Sequence, residues 1–253
     1  MRKTLPAAGD RGAFLIYEKR TYRKLVKSED LKHFEVKVKE TDLLISADKE
    51  LRTETEALVK KYRQELENYI QLDPFFQHTF SPYKPPRSAP RIAKAMAEAG
   101  RICGVGPMAA VAGALAEFVG KDLLKYGKEV IIENGGDIFL KTAQPRRIAV
   151  FAGKSPFSQR VTLEIDPADT PLGVCTSSGT VGPSFSFGLA DAVTVISRAA
   201  CLADAAATAI GNLVSKKADI LKGLELAQRL KGIKGVIIIK DDEMGIWGKI
   251  KLV

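Results

Sequence analysis

The sequence predicts an α+β fold in which largely antiparallel sheets receive inserted helices. Three observations carry that expectation. Phe34, Val36 and Val38 alternate with charged residues, pause at Thr41-Asp42 and resume at Leu43-Leu44-Ile45, the pattern of a hairpin. Val130-Ile131-Ile132 and Ile138-Phe139-Leu140 flank Asn134-Gly135-Gly136, and an Asn-Gly turn between apolar runs is a strong hairpin signal. Helical stretches are set between these strand groups, Glu50–Ile70 the longest of them.

In chain order, Thr21–Val26 and His33–Ala47 read as strands. The helix from Glu50 to about Ile70 places Leu51, Ala57, Leu58, Tyr62, Leu66 and Ile70 near helical spacing. Asp73–Pro90 is expected to be irregular, because Pro74, Pro82, Pro85, Pro86 and Pro90 remove backbone donors. Ser88 is placed to cap a helix over Pro90–Ala99 that stops at Gly100. A buried helix follows from Pro107 to Gly127, with Gly113 and Gly120 permitting close backbone approach. After the Asn-Gly hairpin, strands are expected at Arg147–Ala152, Arg160–Ile165, Leu172–Cys175 and Val193–Ile196. Helices over Cys201–Val214 and Asp219–Leu230 and strands over Val236–Ile239 and Ile246–Leu252 complete the chain. The expected organisation is one domain over 1–253, residues 1–100 adding a sheet and long-helix layer to a core over 101–253.

Composition narrows the function classes. At 45% hydrophobic and 27% charged the chain is ordinary globular material. The opening residues lack the apolar run of a signal peptide, and Pro107–Val119 is too short to span a membrane. Cys103, Cys175 and Cys201 fit neither a zinc spacing nor a disulfide framework, so a cytoplasmic chain with reduced thiols is expected. The net charge of +9 comes from the outer segments, since residues 101–210 hold 10 Lys/Arg against 10 Asp/Glu. That distribution speaks against a nucleic-acid partner.

The chemistry concentrates at three places. Asp204 and Thr208 stand one helical turn apart, which suits either a Mg²⁺ ion or an acid at a helix start beside a back-bonded threonine. Gly135 and Gly136 let a ligand approach the backbone, and Asp137 stands at the mouth of that turn. Thr176, Ser177, Ser178 and Gly179 offer hydroxyls at a strand end as a pocket lip. His78, in the proline-rich loop, reads as structural more readily than catalytic, and His33 as a surface or edge residue. Cys201, near a helix start, would be a reactive thiolate if exposed, and Cys175 is the other thiol candidate. Both read first as small buried hydrophobes.

These motifs resemble the ApbE-like superfamily, relatives of the FAD:protein FMN transferases. Asn134-Gly135-Gly136-Asp137 resembles its N-x-G-G-D turn, Val174–Gly179 its A-T-S-G strand end, and Val193–Thr208 its S-V-T-V-I … C … A-D-A-x-x-T segment. The resemblance implies a T-fold-related architecture, a pocket for FAD or FMN, and Mg²⁺ held by Asp204 and Thr208. In the same pocket, Asn134, Gly135, Gly136, Asp137, Thr176, Ser177, Ser178 and Gly179 would contact the cofactor. It implies a small-molecule nucleotide ligand; charge distribution and segment length already speak against nucleic-acid and membrane partners, and a homodimer stays open. Two segments depart from the family. Gly106–Gly113 reads GPMAAVAG without the family's lysine, and Pro183–Gly188 reads PSFSFG without its histidine or a carboxylate. The expected function is therefore flavin or nucleotide binding without recognisable transfer residues. The alternatives are a transferase using another base, such as His78 or Asp137, or a thiol protein handling sulfur through Cys175 or Cys201.

Overall fold

The computed structural model describes residues 26–180 and 187–253. Its first elements are β1 (Val26–Lys27), β2 (Lys32–Val38), β3 (Thr41–Ala47), α1 (Arg52–Leu72), α2 (Phe75–His78), α3 (Arg91–Cys103) and α4 (Val111–Leu123). The middle of the chain forms β4 (Val130–Asn134), β5 (Asp137–Lys141), β6 (Arg146–Ala149), β7 (Thr162–Ile165), β8 (Leu172–Ser177) and β9 (Ala192–Ser197). The remainder is α5 (Ala200–Gly211), α6 (Ile220–Arg229), β10 (Ile233–Lys240) and β11 (Glu243–Gly248). Most of the expected strand Thr21–Val26 lies outside the described residues, as does most of Pro183–Gly188.

Eight strands form one sheet in the order β11-β10-β9-β8-β5-β4-β3-β2, and β1-β6-β7 form a second. All pairings are antiparallel. The large sheet takes strands from both ends of the chain. Because side chains alternate across a strand, neighbouring residues enter different cores. Ile132, Phe139, Cys175, Val193, Val195 and Ile238 pack against the helices. Ile131, Ile138, Leu140, Val174, Ile196 and Ile237 pack instead with Ile148, Val150, Leu163 and Ile165 of the small-sheet side. The layers are therefore helices, large sheet and small sheet. Burial on both faces explains why β9 and β10 read as continuous apolar runs rather than as alternation.

Several boundaries differ from the sequence expectation. In α1 the buried stripe is Thr55, Val59, Tyr62, Leu66 and Tyr69, and Ala57 is exposed. The Asp73–Pro90 segment is not wholly irregular. Pro74 starts the single turn α2, whose Phe76 is fully buried against Tyr69 and Tyr83. Helix α3 runs through Gly100 to stop at Gly104, which takes the left-handed conformation (φ 75°) that glycine adopts without strain. Ser88 does not cap it, since Pro90 occupies the N-cap with no side-chain bond. The Pro107 helix divides into a 3₁₀ turn over Pro107–Ala110 and then α4, which ends before Gly127. Among the described residues no single helix is long and apolar enough to cross a membrane.

Candidate functional site

Two glycines clamp helix α5. A Cβ on Gly173 of β8 would lie 2.2 Å from the Cα of Ala200, so the first turn of α5 rests directly on the sheet. A Cβ on Gly113 of α4 would lie 2.5 Å from the Ala200 carbonyl oxygen and 2.8 Å from the Cβ of Asp204. With backbone meeting backbone on both sides, Asp204 can reach the start of α4 and the sheet together. Glu117 completes the anchorage: its Oε2 accepts from the Cys201 N–H at 3.0 Å, at the positive end of α5.

Asp204 is buried, and its Oδ2 accepts from the Gly113 N–H at 2.8 Å. Asp137 opens β5 directly opposite Cys175 of β8, so both side chains share the helix-facing side of the sheet. Asp137 is also buried; its carboxylate accepts from the Thr176 N–H and neighbours the Cys175 thiol. That thiol donates to the Ala200 carbonyl at 3.3 Å.

Burial pushes the Asp204 carboxyl up to about 7, against the lowering effect of N–H donors from Gly113 and Ala112. Burial, and then the charge of Asp204, holds Asp137 well above the usual carboxylate range. Among the described residues no lysine, arginine or histidine pairs with either acid. Two buried carboxylates that feel each other's charge without a cation stay protonated more readily than exposed ones or take up a positive ion. No group of three His, Cys, Asp or Glu side chains with metal-binding geometry exists among the described residues. The donor set is thus one or two carboxylates with hydroxyls nearby. Mg²⁺ commonly accepts such a set, filling its other positions with water and ligand phosphates.

The remaining expected residues divide by geometry. Thr208 is half-buried one turn beyond Asp204, and Ser177 faces α5, its Oγ 3.7 Å from where a Cβ on Gly211 would sit. Asn134 shares the face of Asp137, its Cα partner across the turn, and its Nδ2 donates to the Ala112 carbonyl at 3.0 Å. Gly135 and Gly136 both have positive φ, 66° and 105°, which a two-residue hairpin turn requires. Among the described residues, its chain neighbours aside, no atom lies within 4 Å of a Cβ built on Gly135. The Thr176 side chain points to the opposite face, where its Oγ1 is 2.9 Å from that of Thr194; only its main chain serves the acid pair. Ser178 bonds to Thr180 at 3.3 Å, and Gly179 is exposed with its N–H on the Ala190 carbonyl. The structure therefore sets Asn134, Asp137 and Ser177 on the helix-facing side of the sheet and Asp204 and Thr208 on the α5 helix that packs there, and leaves Ser178 and Gly179 toward solvent.

The Ala112-Gly113 backbone and Glu117 were not legible as site residues. The usable signals were a glycine and a lone acid, both inside an apolar helix. All three cysteines are buried. Burial pushes Cys103 up to about 12 and holds Cys175 and Cys201 well above the ordinary thiol range. The position of Cys201 at a helix start is outweighed by desolvation and by the Glu117 charge beside it. His78 is exposed at the end of α2. His33 lies on the edge strand β2, with its Nδ1 2.8 Å from Ser46 Oγ.

Comparison with known proteins places the chain. Residues 23–232 match the family described as AbpE bacteria. A UPF0280 protein of Methanosarcina acetivorans is 41% identical over 221 residues, 86% of each chain. A UPF0280 protein of Methanothrix thermoacetophila is 45% identical over 190 residues, 74% of this chain and 79% of that one. Among solved structures, the apo flavinyl transferase ApbE of Pseudomonas stutzeri superposes with a TM-score of 0.57. That likeness is at 17% identity and covers 86% of this chain and 93% of the other, and it shows the fold.

Proposed function

The chain belongs to the AbpE bacteria family, in the ApbE-like lineage it shares with the UPF0280 proteins, and from that premise we propose that it binds a flavin or related nucleotide with Mg²⁺ and does not transfer FMN. The observation that carries this reading is the buried pair Asp137 and Asp204, which lacks a basic partner among the described residues. Asp204 and Thr208 would hold the ion, with Ser177 close by. The open side of the turn at Gly135 leaves room for a ligand to approach the backbone there, while the Gly136 N–H is held by Glu133 Oε1 at 2.7 Å. Bound Mg²⁺ would supply charge neutralisation for the ligand's phosphates. The chain's own residues would orient the ligand and keep the acids desolvated.

The absence of transfer rests on sequence. Gly106–Gly113 carries no lysine, and Pro183–Gly188 carries no histidine or carboxylate. A general base contributes about 10²–10⁴-fold in rate. Titrating the purified protein with FAD, with and without MgCl₂, tests binding through flavin fluorescence. Binding should strengthen with Mg²⁺ and weaken in Asp204→Ala, and incubation with acceptor proteins should leave no in-gel flavin fluorescence. Absence of FAD binding would sink the reading.

One observation favours a second reading, a transferase whose base is Asp137. Burial and the Asp204 charge make its carboxylate a stronger base than an ordinary one, whereas the alternative base His78 is exposed at the end of α2. Robust acceptor labelling that disappears in Asp137→Asn would establish that reading. The sulfur-handling alternative is disfavoured by the burial and protonation of Cys175 and Cys201.

A further inference from the structure

Turn chemistry does not explain Asn134. The two residues with positive φ are Gly135 and Gly136, while Asn134 is an ordinary strand residue paired with Asp137. Its backbone would suit almost any side chain. The carboxamide is half-buried and directed away from the turn, donating from Nδ2 to the Ala112 carbonyl at 3.0 Å, 22 positions away in sequence.

The Ala112 carbonyl and the Gly113 N–H belong to one peptide group. The carbonyl accepts from Asn134, and the N–H donates to Asp204 Oδ2 at 2.8 Å. We propose that Asn134 is a positioning residue that presets Asp204 through this single peptide plane. Two effects follow from the geometry. The amide fixes the rotation of the plane and hence the direction of the Gly113 N–H. It also polarises the peptide, because hydrogen bonds in a chain strengthen one another in a low-dielectric interior. The backbone of the same residue pairs with Asp137, so one side chain and one main chain tie both acids to a common frame.

Asparagine suits this role chemically. Aspartate at 134 has no N–H to donate, and an aliphatic residue would leave the peptide without its second partner. Gly113 suits its own role because any Cβ there would meet α5. The effect on cation affinity rests on the Mg²⁺ reading proposed above, whereas the hydrogen-bond relay stands without it.

Two measurements on Asn134→Ala and Asn134→Asp separate these levels. The ¹H–¹⁵N resonance of the Gly113 amide in the metal-free protein reports the relay, and calorimetric titration with MgCl₂ reports the consequence. Loss of the carboxamide donor should move the Gly113 proton upfield. It should also weaken Mg²⁺ binding about 10–100-fold, the usual effect of losing an outer-shell partner. A merely structural role would lower the melting temperature while leaving the Gly113 resonance and the Mg²⁺ Kd unchanged, and that result overturns the proposal. A moved resonance with an unchanged Kd, in a protein whose wild type binds Mg²⁺, overturns it also. If the wild type binds no Mg²⁺, the metal reading fails and the Gly113 resonance alone decides the relay. The aspartate variant nearly preserves volume and keeps the test available if the alanine variant does not fold.

Discussion

Replacing Asp204 by asparagine should make the metal-free protein more stable at neutral and alkaline pH. Burial raises the folded carboxyl from an ordinary 3.8 to about 7. Between those values the folded state binds more protons at this site than the unfolded chain does, so its contribution to stability falls as pH rises. The loss starts near pH 4 and is complete just above pH 7. Raising a carboxyl from 3.8 to about 7 corresponds to roughly 4 kcal/mol as an upper figure. Asp137 shares the same desolvated space, and its proton affinity is raised in the same direction, so the two sites titrate as a pair. Asparagine keeps an oxygen for the Gly113 N–H but carries no charge to bury. Elsewhere Asp30, through Arg146, and Glu129, through the Ala143 N–H, the Thr142 hydroxyl and then Arg146, have lowered proton affinity, which gives the opposite slope in acid. Subtracting wild type from variant removes those contributions. Urea denaturation in EDTA at half-unit steps from pH 4 to 8 provides the profile. The stability of Asp204→Asn minus that of wild type should rise across this window by about 2–4 kcal/mol. A flat difference, or one that falls with pH, would refute the claim that Asp204 is a desolvated acid.

Gly113→Ala should lower stability by about 1–3 kcal/mol, because its Cβ meets the Ala200 carbonyl and Asp204 Cβ and the two helices must part; an unchanged urea midpoint would show that α4 and α5 are not clamped there. Arg146→Ala should cost about 3–5 kcal/mol in the same assay, since it strands the largely buried carboxylate of Glu129 and releases Thr142 and Asp30. A loss below about 1 kcal/mol would mean that this ion pair is effectively solvated. Ellman's reagent at pH 8 should find the three thiols nearly inert in the native protein and titrate all three in urea. Rapid native reaction at Cys175 or Cys201 would revive the sulfur reading.

How much of this was readable beforehand depended on the range of the forces involved. The β2–β3 and β4–β5 hairpins, the long helix and the Asp204 helix follow from patterns within about twenty residues: alternation, helical period and turn glycines. The Asn-Gly-Gly-Asp turn is such a case, since positive φ at Gly135 and Gly136 is a local demand. Helix ends were less legible. Gly100 looked like a stop, yet it lies inside α3, packed so closely that a Cβ there would come 2.7 Å from the Val105 carbonyl oxygen.

The sequence by itself determined which chemical groups were available: the glycine turn, Asp137, the hydroxyl-rich strand end, and Asp204 with Thr208 one turn apart. Tertiary structure decided which of them meet. Strand register sends Cys175 and Ser177 to the helix side and turns the Thr176 hydroxyl to the other, because adjacent residues of a strand face opposite ways. The approach of Asp204 to Asp137 depends on two backbone contacts, at Gly113 and Gly173, made by residues far apart in the chain. Burial, and with it the protonation of the acids and thiols, is a property of the packed layers together. Desolvation is set by everything that surrounds a group, and no local pattern contains that information.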